Sequence, residues 1–312
     1  MSRRIRFAVR IHQGGLSYDD LRRVWLEADR LGYYAATLYD LLNSPTLECW
    51  TTLSALAEVS ERIRLVPLVL ANGYRHPAVL ARMVSTLDVI SDGRVELGIG
   101  AGGDGTDHRS SGLPFPQTRV RVEMLEEAVD LITALWSGRR ISFEGRYYRL
   151  DGAVCDPVPV QTPRPPVLVG GHGERYLMRA LARHGDIANM RFDMGLGQYD
   201  RARRIIEDHC REAGRDPAEI DVSHNATVIV GEHPAEVDDR LRREADRRGV
   251  SIDSYRASLA NAIVGTPEQC AAQLQRYVHA GITYFFLLFP QPIELRDLRL
   301  FAAGVMPHFA GP

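Results

Sequence analysis

Hydrophobic residues follow two different spacings that alternate along the chain. Short apolar runs, of which the first spans residues 5–11, indicate strands. Between them, apolar residues recur every three or four positions, as Leu21, Val24 and Ala28 do, which indicates helices with one buried face. The predicted strands are Ile5–Ile11, Ala35–Tyr39, Ile63–Ala71, Arg94–Ile99, Val167–Val169, Asp186–Met190, Ile220–Val230 and Thr283–Phe289.

Capping residues set the limits of several helices. The first helix is predicted to begin after Ser17 and to end at Gly32, because serine is a favourable N-cap and glycine a favourable C-cap. A capping box with proline at the first helical position, residues 266–269, opens another helix that ends at Gly281. The other predicted helices are Leu47–Val59, one opened by Pro77, Thr118–Trp136, Glu174–Arg183, Gln198–Ala213 and a short one from Glu294.

These elements make eight strand–helix units, which favours a (β/α)8 TIM barrel of the α/β class. A doubly wound sheet is the alternative fold. We expect residues 1–312 to form a single domain with insertions near 101–116, 138–166 and 231–262. The second of these is predicted to contain a hairpin and has five prolines. In a barrel, the functional site lies where the strands end.

The charged residues narrow the range of functions. The chain has 38 basic residues against 40 acidic ones over 312 residues, and all the basic ones are arginine. Without lysine, a Schiff-base lysine and a P-loop lysine are excluded. The charge balance lacks the basic excess that nucleic-acid binding needs, so we expect no nucleic-acid partner.

The expected compartment is the cytoplasm. Four scattered cysteines form no disulfide framework, and no apolar run approaches membrane-spanning length. Arginines interrupt the N-terminus before a signal-peptide core could form. We therefore expect no membrane partner.

Two glycine-rich segments follow predicted strands. Residues 98–103 satisfy the GxGxxG pattern, but the glycines and prolines after them, Gly105 among these, should prevent the helix that a Rossmann site requires. The segment then indicates either backbone that lies close to a flat ligand or a flexible loop. Gly170-Gly171-His172-Gly173 leads directly into a helix, so it is either a phosphate site or an ordinary turn.

The sequence lacks the signatures of a metal site or a side-chain nucleophile. The histidines show neither HxH nor HExxH spacing, so no metal is expected, and there is no GxSxG elbow. A chain without these groups is expected to rely on a cofactor for its chemistry.

Several motifs in a fixed order identify a resemblance that runs from about residue 5 to residue 289. The chain resembles the bacterial luciferase-like flavin and deazaflavin enzymes, in particular the type that uses coenzyme F420. That family is a (β/α)8 barrel with insertions, as the strand count also predicts. The motifs occupy residues 45–51, 72–78, 87–94, 96–102, 143–148 and 170–173.

The resemblance implies a set of cofactor-binding residues. Asp40 matches an acidic residue beside the deazaflavin, and the third-strand end matches the segment that backs the ring, often through a non-proline cis peptide. The loop from Gly100 to Thr106 matches the polar edge of the ring, and residues 170–173 match the phosphate site. The cofactor-binding set is Asp40, Leu68, Val69, Leu70, Ala71, Asn72, Gly100, Ala101, Gly102, Thr106, Gly170, Gly171, His172, Gly173 and Asn189.

Two departures from the family pattern bear on the reaction. Many F420-dependent relatives have histidine where this chain has Leu41, and dehydrogenases of the group have glutamate where it has Gly103. A histidine base suits alcohol oxidation, so its absence favours reduction of an activated C=C or C=N bond. The candidate catalytic acids that remain are His12, His76, Asp104 and His108.

The expected function is therefore an F420-dependent oxidoreductase that acts on a small organic molecule. One alternative is an FMN-dependent luciferase-like monooxygenase, and another is a catalytically silent flavin-binding or partner subunit. Arginines near the mouth, namely Arg75, Arg109 and Arg191, either clamp an anionic cofactor tail or are simply solvated. The resemblance also implies a homodimer formed through barrel helices.

Overall fold

A computed structural model describes residues 4–103, 105–171 and 177–310. The helices, in chain order, are α1 (Tyr18–Leu31), α2 (Cys49–Val59), α3 (Pro77–Ile90), α4 (Gly105–Ser110), α5 (Thr118–Leu135), α6 (Leu177–His184), α7 (Leu196–Ala213), α8 (Pro234–Arg247), α9 (Ile252–Ser258), α10 (Pro267–His279) and α11 (Leu295–Gly304). The strands are β1 (Arg6–Arg10), β2 (Ala35–Leu38), β3 (Arg64–Pro67), β4 (Leu70–Ala71), β5 (Leu97–Gly100), β6 (Ile141–Glu144), β7 (Arg149–Ala153), β8 (Val167–Gly170), β9 (Ile187–Phe192), β10 (Asp221–Val230), β11 (Ile263–Gly265) and β12 (Tyr284–Leu288).

The main sheet is parallel and curls into a barrel. Its strands follow the order β3-β2-β1-β12-β10-β9-β8-β5-β4. A parallel bridge between Leu65 and Val95 brings β3 beside the chain that enters β5 and completes the ring. Helices cover the outside, as parallel strands require. The predicted (β/α)8 barrel is confirmed.

Alternation along the strands sorts residues between the inside of the barrel and the helical layer. On β1, Phe7 and Val9 belong to the large core between strands and helices, whereas Ala8 packs inside the barrel with residues such as Phe286. Because side chains alternate along a strand, Arg10 points to the interior side, and it is the last residue of β1. It therefore reaches the mouth of the barrel.

The three segments that were expected as insertions contain regular structure of their own. Residues 138–166 include the antiparallel hairpin β6–β7, which forms a separate two-stranded sheet. Residues 231–262 hold α8 and α9, and the following β11 pairs with the end of β10. The hairpin was predicted from the sequence, whereas α8, α9 and β11 were not.

One local expectation was wrong. A helix was excluded after the glycine-rich segment 98–103, yet α4 occupies residues 105–110. Gly105 is the first residue of the helix, where glycine is tolerated, and the helix ends before Gly112 and the prolines that follow. The predicted residues 174–176 of the helix after β8 lie outside the described part of the chain.

No helix among the described residues is long and apolar enough to cross a membrane. The four cysteines are all free and buried, which agrees with packing roles.

Candidate active site

A cavity of about 860 Å³ opens at the carboxyl ends of the barrel strands. Its walls come from the ends of β1, β2, β5, β8, β9 and β10, the segment between β3 and β4, and helices α4, α5 and α6. A site of this size in this position can take a cofactor-sized molecule.

One wall of the cavity is a bulge between β3 and β4. The peptide bond between Leu68 and Val69 is cis, as the resemblance implies, and both residues line the cavity. Three glycines on the neighbouring strands make room for the bulge. A Cβ on Gly98 would lie 1.9 Å from the carbonyl oxygen of Pro67, and one on Gly170 would lie 2.6 Å from Cγ1 of Val69.

The glycine-rich segment 98–103 is thus explained in part by packing. A Cβ on Gly100 would lie 3.0 Å from both Val69 Cγ2 and the carbonyl oxygen of Gly170. Gly100, Ala101, Gly102 and Gly103 also line the cavity. The strand end is therefore close to the bulge on one side and open to a ligand on the other.

Asp40 holds the same bulge in place through hydrogen bonds to both of its carboxylate oxygens. Its carboxylate accepts from the backbone N–H of Ala71 at 3.0 Å and from both terminal nitrogens of Arg75 at 2.8 and 2.9 Å. Arg75 also donates to Glu48 at 2.8 Å. Burial lowers the pKa of Arg75 and the two carboxylates raise it, and the net direction is upward. Asp40 is therefore a positioning group that ties Arg75 to the backbone of the bulge.

The end of β8 is backbone that only glycine can adopt. Gly171 has φ of 141°, and a Cβ there would lie 2.2 Å from Cδ2 of Leu177, the first described residue of α6. Gly170, Gly171 and Leu177 all line the cavity. His172 and Gly173, predicted to complete this phosphate site, lie outside the described residues.

The opposite wall carries a hydrogen-bonded polar group centred on Arg10. Its Nε donates to Tyr39 Oη at 2.6 Å, and its Nη1 donates to Asn225 Oδ1 at 2.9 Å. The guanidinium also lies 5.0 Å from the ring centre of Tyr39 and 4.9 Å from that of Phe192. The amide of Asn225 donates in turn to Asn189 Oδ1 at 3.2 Å. All five side chains line the cavity.

Two further charged residues reach the cavity from the α4–α5 region. Arg121 donates to the carbonyl oxygen of Pro116 at 2.6 Å and lies 3.9 Å over the ring of Phe115, and burial lowers its pKa. Asp107 accepts hydrogen bonds at 3.2 Å from the backbone N–H of Leu42 and from Tyr74 Oη.

Most of the predicted cofactor-binding residues meet at this cavity. Asn72 and Thr106 do not line it: Asn72 is buried and donates to Tyr148 Oη at 3.1 Å, and Thr106 is exposed on α4. The predicted residues that line the cavity are Asp40, Leu68, Val69, Leu70, Ala71, Gly100, Ala101, Gly102, Gly170, Gly171 and Asn189.

The structure does not place the predicted catalytic histidines in the cavity. His12 and His76 are exposed, and the Nδ1 of each accepts from a nearby backbone N–H, that of Gly14 and that of Ala78, both at 3.2 Å. His108 is buried behind the glycine-rich segment, where a Cβ on Gly102 would lie 3.1 Å from its Cε1. Asp104, the fourth candidate, lies outside the described residues.

The sequence reasoning missed the Arg10 wall, although a signal was present. The first strand reads Arg-Phe-Ala-Val-Arg, and its alternation places Arg6, Ala8 and Arg10 on one face. Since that face points into a parallel barrel, the arginine at the carboxyl end belongs to the site. Tyr39 follows β2, and Asn225 lies within β10. To place these two side chains beside Arg10 one must know the register of the strands, and the position of each strand along the chain is not enough.

Comparisons with known proteins agree with this architecture. Residues 2–284 match the model of a family described as luciferase-like monooxygenase. The chain is 30% identical over 290 residues to the F420-dependent glucose-6-phosphate dehydrogenase of Kineococcus radiotolerans, with 85% of this chain and 83% of the relative covered.

Two solved structures are similar in fold. The coenzyme F420-dependent tetrahydromethanopterin reductase from Methanopyrus kandleri gives a TM-score of 0.81 at 19% identity, over 98% of this chain and 100% of that one. Riboflavin lyase with modified FMN and riboflavin gives a TM-score of 0.85 at 17% identity, over 98% and 91% of the two chains.

Proposed function

Because this chain belongs to the luciferase-like monooxygenase family, we propose that it is a coenzyme F420-dependent oxidoreductase that acts on a small organic substrate. The observation that carries the proposal is the cavity at the strand ends, whose bulge, close-packed glycines and arginines without an ion pair to a described residue suit a flat ring with an anionic tail. The relative that is 30% identical is named as F420-dependent, which supports the choice of cofactor.

The described residues fit such a cofactor. The segment from Leu68 to Ala71 would back the ring, with the main chain at Gly100–Gly102 along one edge, because these residues line the cavity together. The amides at the end of β8 would hold the phosphate. Arg121 lines the same cavity with no ion pair to any described carboxylate, so its charge is available to the tail.

The bound deazaflavin supplies hydride chemistry, and the protein supplies position, exclusion of water and a proton. We propose reduction of an activated C=C or C=N bond in preference to alcohol oxidation. In support, Leu41 lines the cavity, and no histidine is among the described lining residues, so a histidine base for a hydroxyl proton is missing from that part of the chain.

Tyr39 is a described lining residue that can donate a proton. Its oxygen accepts from Arg10, which leaves the hydroxyl hydrogen directed elsewhere. Asp104 stays a candidate for the same role.

Direct binding tests the cofactor assignment. Purified protein should quench the fluorescence of added F420 with saturation, and reduced F420 should turn over enones or imines under anaerobic conditions. Secondary alcohols with oxidised F420 should react far more slowly. Absence of F420 binding would contradict the proposal.

An FMN-dependent monooxygenase is the second candidate. The specific observation in its favour is the similarity in fold to a structure that holds modified FMN. Oxygen consumption with reduced FMN, compared with anaerobic turnover with reduced F420, separates the two candidates.

We also propose that the protein is a homodimer. An apolar surface groove of about 530 Å³ lies between α2, α3 and the hairpin strand β7, and Trp50, Val79, Met83, Ile90 and Val154 line it. A second copy packed on this groove would cover these side chains.

A further inference from the structure

We propose that the substrate carries an anionic group, in the first place a carboxylate, which Arg10 binds on the wall of the cavity opposite the end of β8. The inference rests on the proposed function, because it concerns the substrate side of the same cavity. It assigns to Arg10 the role of determining specificity.

Arg10 is a half-buried cation whose described partners are all neutral. A guanidinium has five N–H donors. Two of them are used, one by Tyr39 Oη and one by Asn225 Oδ1, and the remaining three have no acceptor among the described residues. The donors without a described acceptor are both hydrogens of Nη2 and one hydrogen of Nη1. These donors can bind the two oxygens of a carboxylate.

No described carboxylate contacts Arg10, whereas three other partly buried arginines of this chain have one. Arg6, on the same face of the same strand, pairs with Asp221 at 2.5 Å. Arg64 and Arg75 pair with Glu96 and Asp40. Since a buried cation without an anion is costly, a position that keeps one is suited to receive its anion from a ligand.

The acidic residues near Arg10 do not compensate it by contact. Asp193 is close enough for the charge of Arg10 to lower its pKa, although burial is the larger influence and raises that pKa overall. Both carboxylate oxygens of Asp193 are occupied at 2.9 Å by the backbone N–H and the hydroxyl of Thr227.

The topology separates this anion site from the cofactor phosphate. In the eight-strand ring, β1 lies four strands from β8 in either direction, so Arg10 faces the wall that ends in Gly170 and Gly171. A phosphate held at the end of β8 would therefore leave Arg10 free. Arg191, exposed on β9 and without an ion pair in the described structure, lines the same cavity and adds positive charge at its mouth.

A matched pair of unreactive probes tests the inference. We would titrate 4-oxopentanoate and pentan-2-one, which differ in carrying a carboxylate or not, into the protein with and without oxidised F420, and follow binding by ligand-observed NMR. Variants Arg10→Gln and Arg10→Lys would be compared with Arg140→Gln, an exposed arginine of the hairpin that donates to Gly152. F420 affinity would be measured on every preparation.

The expected result is that wild-type protein binds the keto acid about tenfold or more tightly than the ketone. Arg10→Gln should abolish the preference for the keto acid without changing the affinity for pentan-2-one or F420. Arg10→Lys should keep part of this preference, and Arg140→Gln should keep all of it. Equal binding of the two probes by wild-type protein would overturn the inference, as would an undiminished preference in Arg10→Gln.

The experiment distinguishes a failure of the F420 assignment from a failure of the carboxylate site at Arg10. If wild-type protein does not bind F420, the cofactor assignment is wrong, and the titration without cofactor still decides whether Arg10 recognises a carboxylate. If Arg10→Gln does not fold, Arg10→Lys decides the question: it should keep only part of the preference for the keto acid, and an undiminished preference would overturn the inference.

Discussion

Single glycines control the shape of the ligand cavity at the residue scale. Gly98, Gly100 and Gly170 contact the Leu68–Val69 bulge so closely that one added methyl group at any of them displaces it or its neighbours. Each of these positions therefore links a sequence choice directly to the shape of the site.

We expect Gly170→Ala to disturb cofactor binding. The new Cβ would lie 2.6 Å from Val69 Cγ1 and 3.0 Å from Cγ2, so the bulge must move. Overpacking of this kind costs about 1–3 kcal/mol of stability, and we predict about a tenfold or greater loss of F420 affinity. Urea denaturation and fluorescence titration measure the two effects.

Gly103→Ala is the matched control for that substitution. Gly103 also lines the cavity, but an added Cβ would lie within 4 Å of no described residue beyond its chain neighbours. Its stability and F420 affinity should stay close to those of wild type. Equal behaviour of the two variants would show that the bulge does not control binding.

His224 should make the stability of the protein depend on pH. It is fully buried in β10, stacked 4.0 Å from the ring of Tyr277, and desolvation lowers its pKa to about 3. The unfolded chain binds a proton below about pH 6.5, so stability is lost as pH falls from that value towards 3. The loss at pH 5.5 is about 1.4 kcal/mol relative to neutral pH.

The variant His224→Phe isolates this effect. It keeps an aromatic ring against Tyr277 and removes the titrating group, so the difference in unfolding free energy between pH 7.5 and 5.5 should shrink by about 1.4 kcal/mol. Exposed His279 on α10 provides the control, since His279→Gln should leave the difference as it is. An unchanged pH dependence in His224→Phe would contradict the assignment.

At the scale of elements, the two ends of the barrel have different tasks. The carboxyl end holds the cavity, whereas the amino end is closed by an ion-paired cluster. There Glu96, with no exposed surface, accepts from Arg64 Nε at 2.9 Å and from Tyr284 Oη at 3.1 Å. This cluster joins β3, the start of β5 and β12 across the barrel.

Removal of Glu96 should therefore lower stability without affecting the ligand. Glu96→Ala leaves Arg64 half-buried without its carboxylate, and the loss of one partner of a buried pair costs about 3–5 kcal/mol. Urea denaturation should show this loss, and F420 affinity of the folded variant should be unchanged. Glu58→Gln, on the exposed side of α2, should stay within about 0.5 kcal/mol of wild type.

The sequence predicted elements better than contacts between them. All eight barrel strands could be located, because their apolar runs and the caps at Ser17 and Thr266 are local signals. The short β11 and the helices α8 and α9 were missed in a segment whose conformation the local pattern did not reveal. The Arg10 wall was missed because it joins side chains at the ends of β1, β2, β9 and β10. The register between these strands depends on contacts between distant segments, so no local pattern predicts it.

At the scale of the whole molecule, the exclusive use of arginine fits the distribution of charge in the structure. Many arginines pair with carboxylates at the surface, and a few, such as Arg94, cap backbone carbonyls in the interior. Arg10, Arg121 and Arg191 stand apart because they line the cavity without ion pairs to described residues. The molecule is nearly neutral, with a formal charge of −2, while its cavity is cationic.

The outer surface near α3 leads to the last prediction, that the protein is a dimer in solution. Val79 is 56% exposed, Ile90 51% and Val154 44%, and the three border one groove. Large apolar side chains that are grouped in this way are typical of an interface, and a stable interface would bury about 1,000 Å² or more.

Light scattering should give twice the chain mass of 34.9 kDa at micromolar concentration. The double variant Val79→Asp/Ile90→Asp should give the single mass, because each carboxylate would have to be desolvated at the contact. Val250→Asp places one such carboxylate at a valine between α8 and α9 that is 44% exposed, and this variant should remain dimeric. A monomeric wild-type protein would refute the dimer, whereas a dimeric double variant would place the interface on another surface.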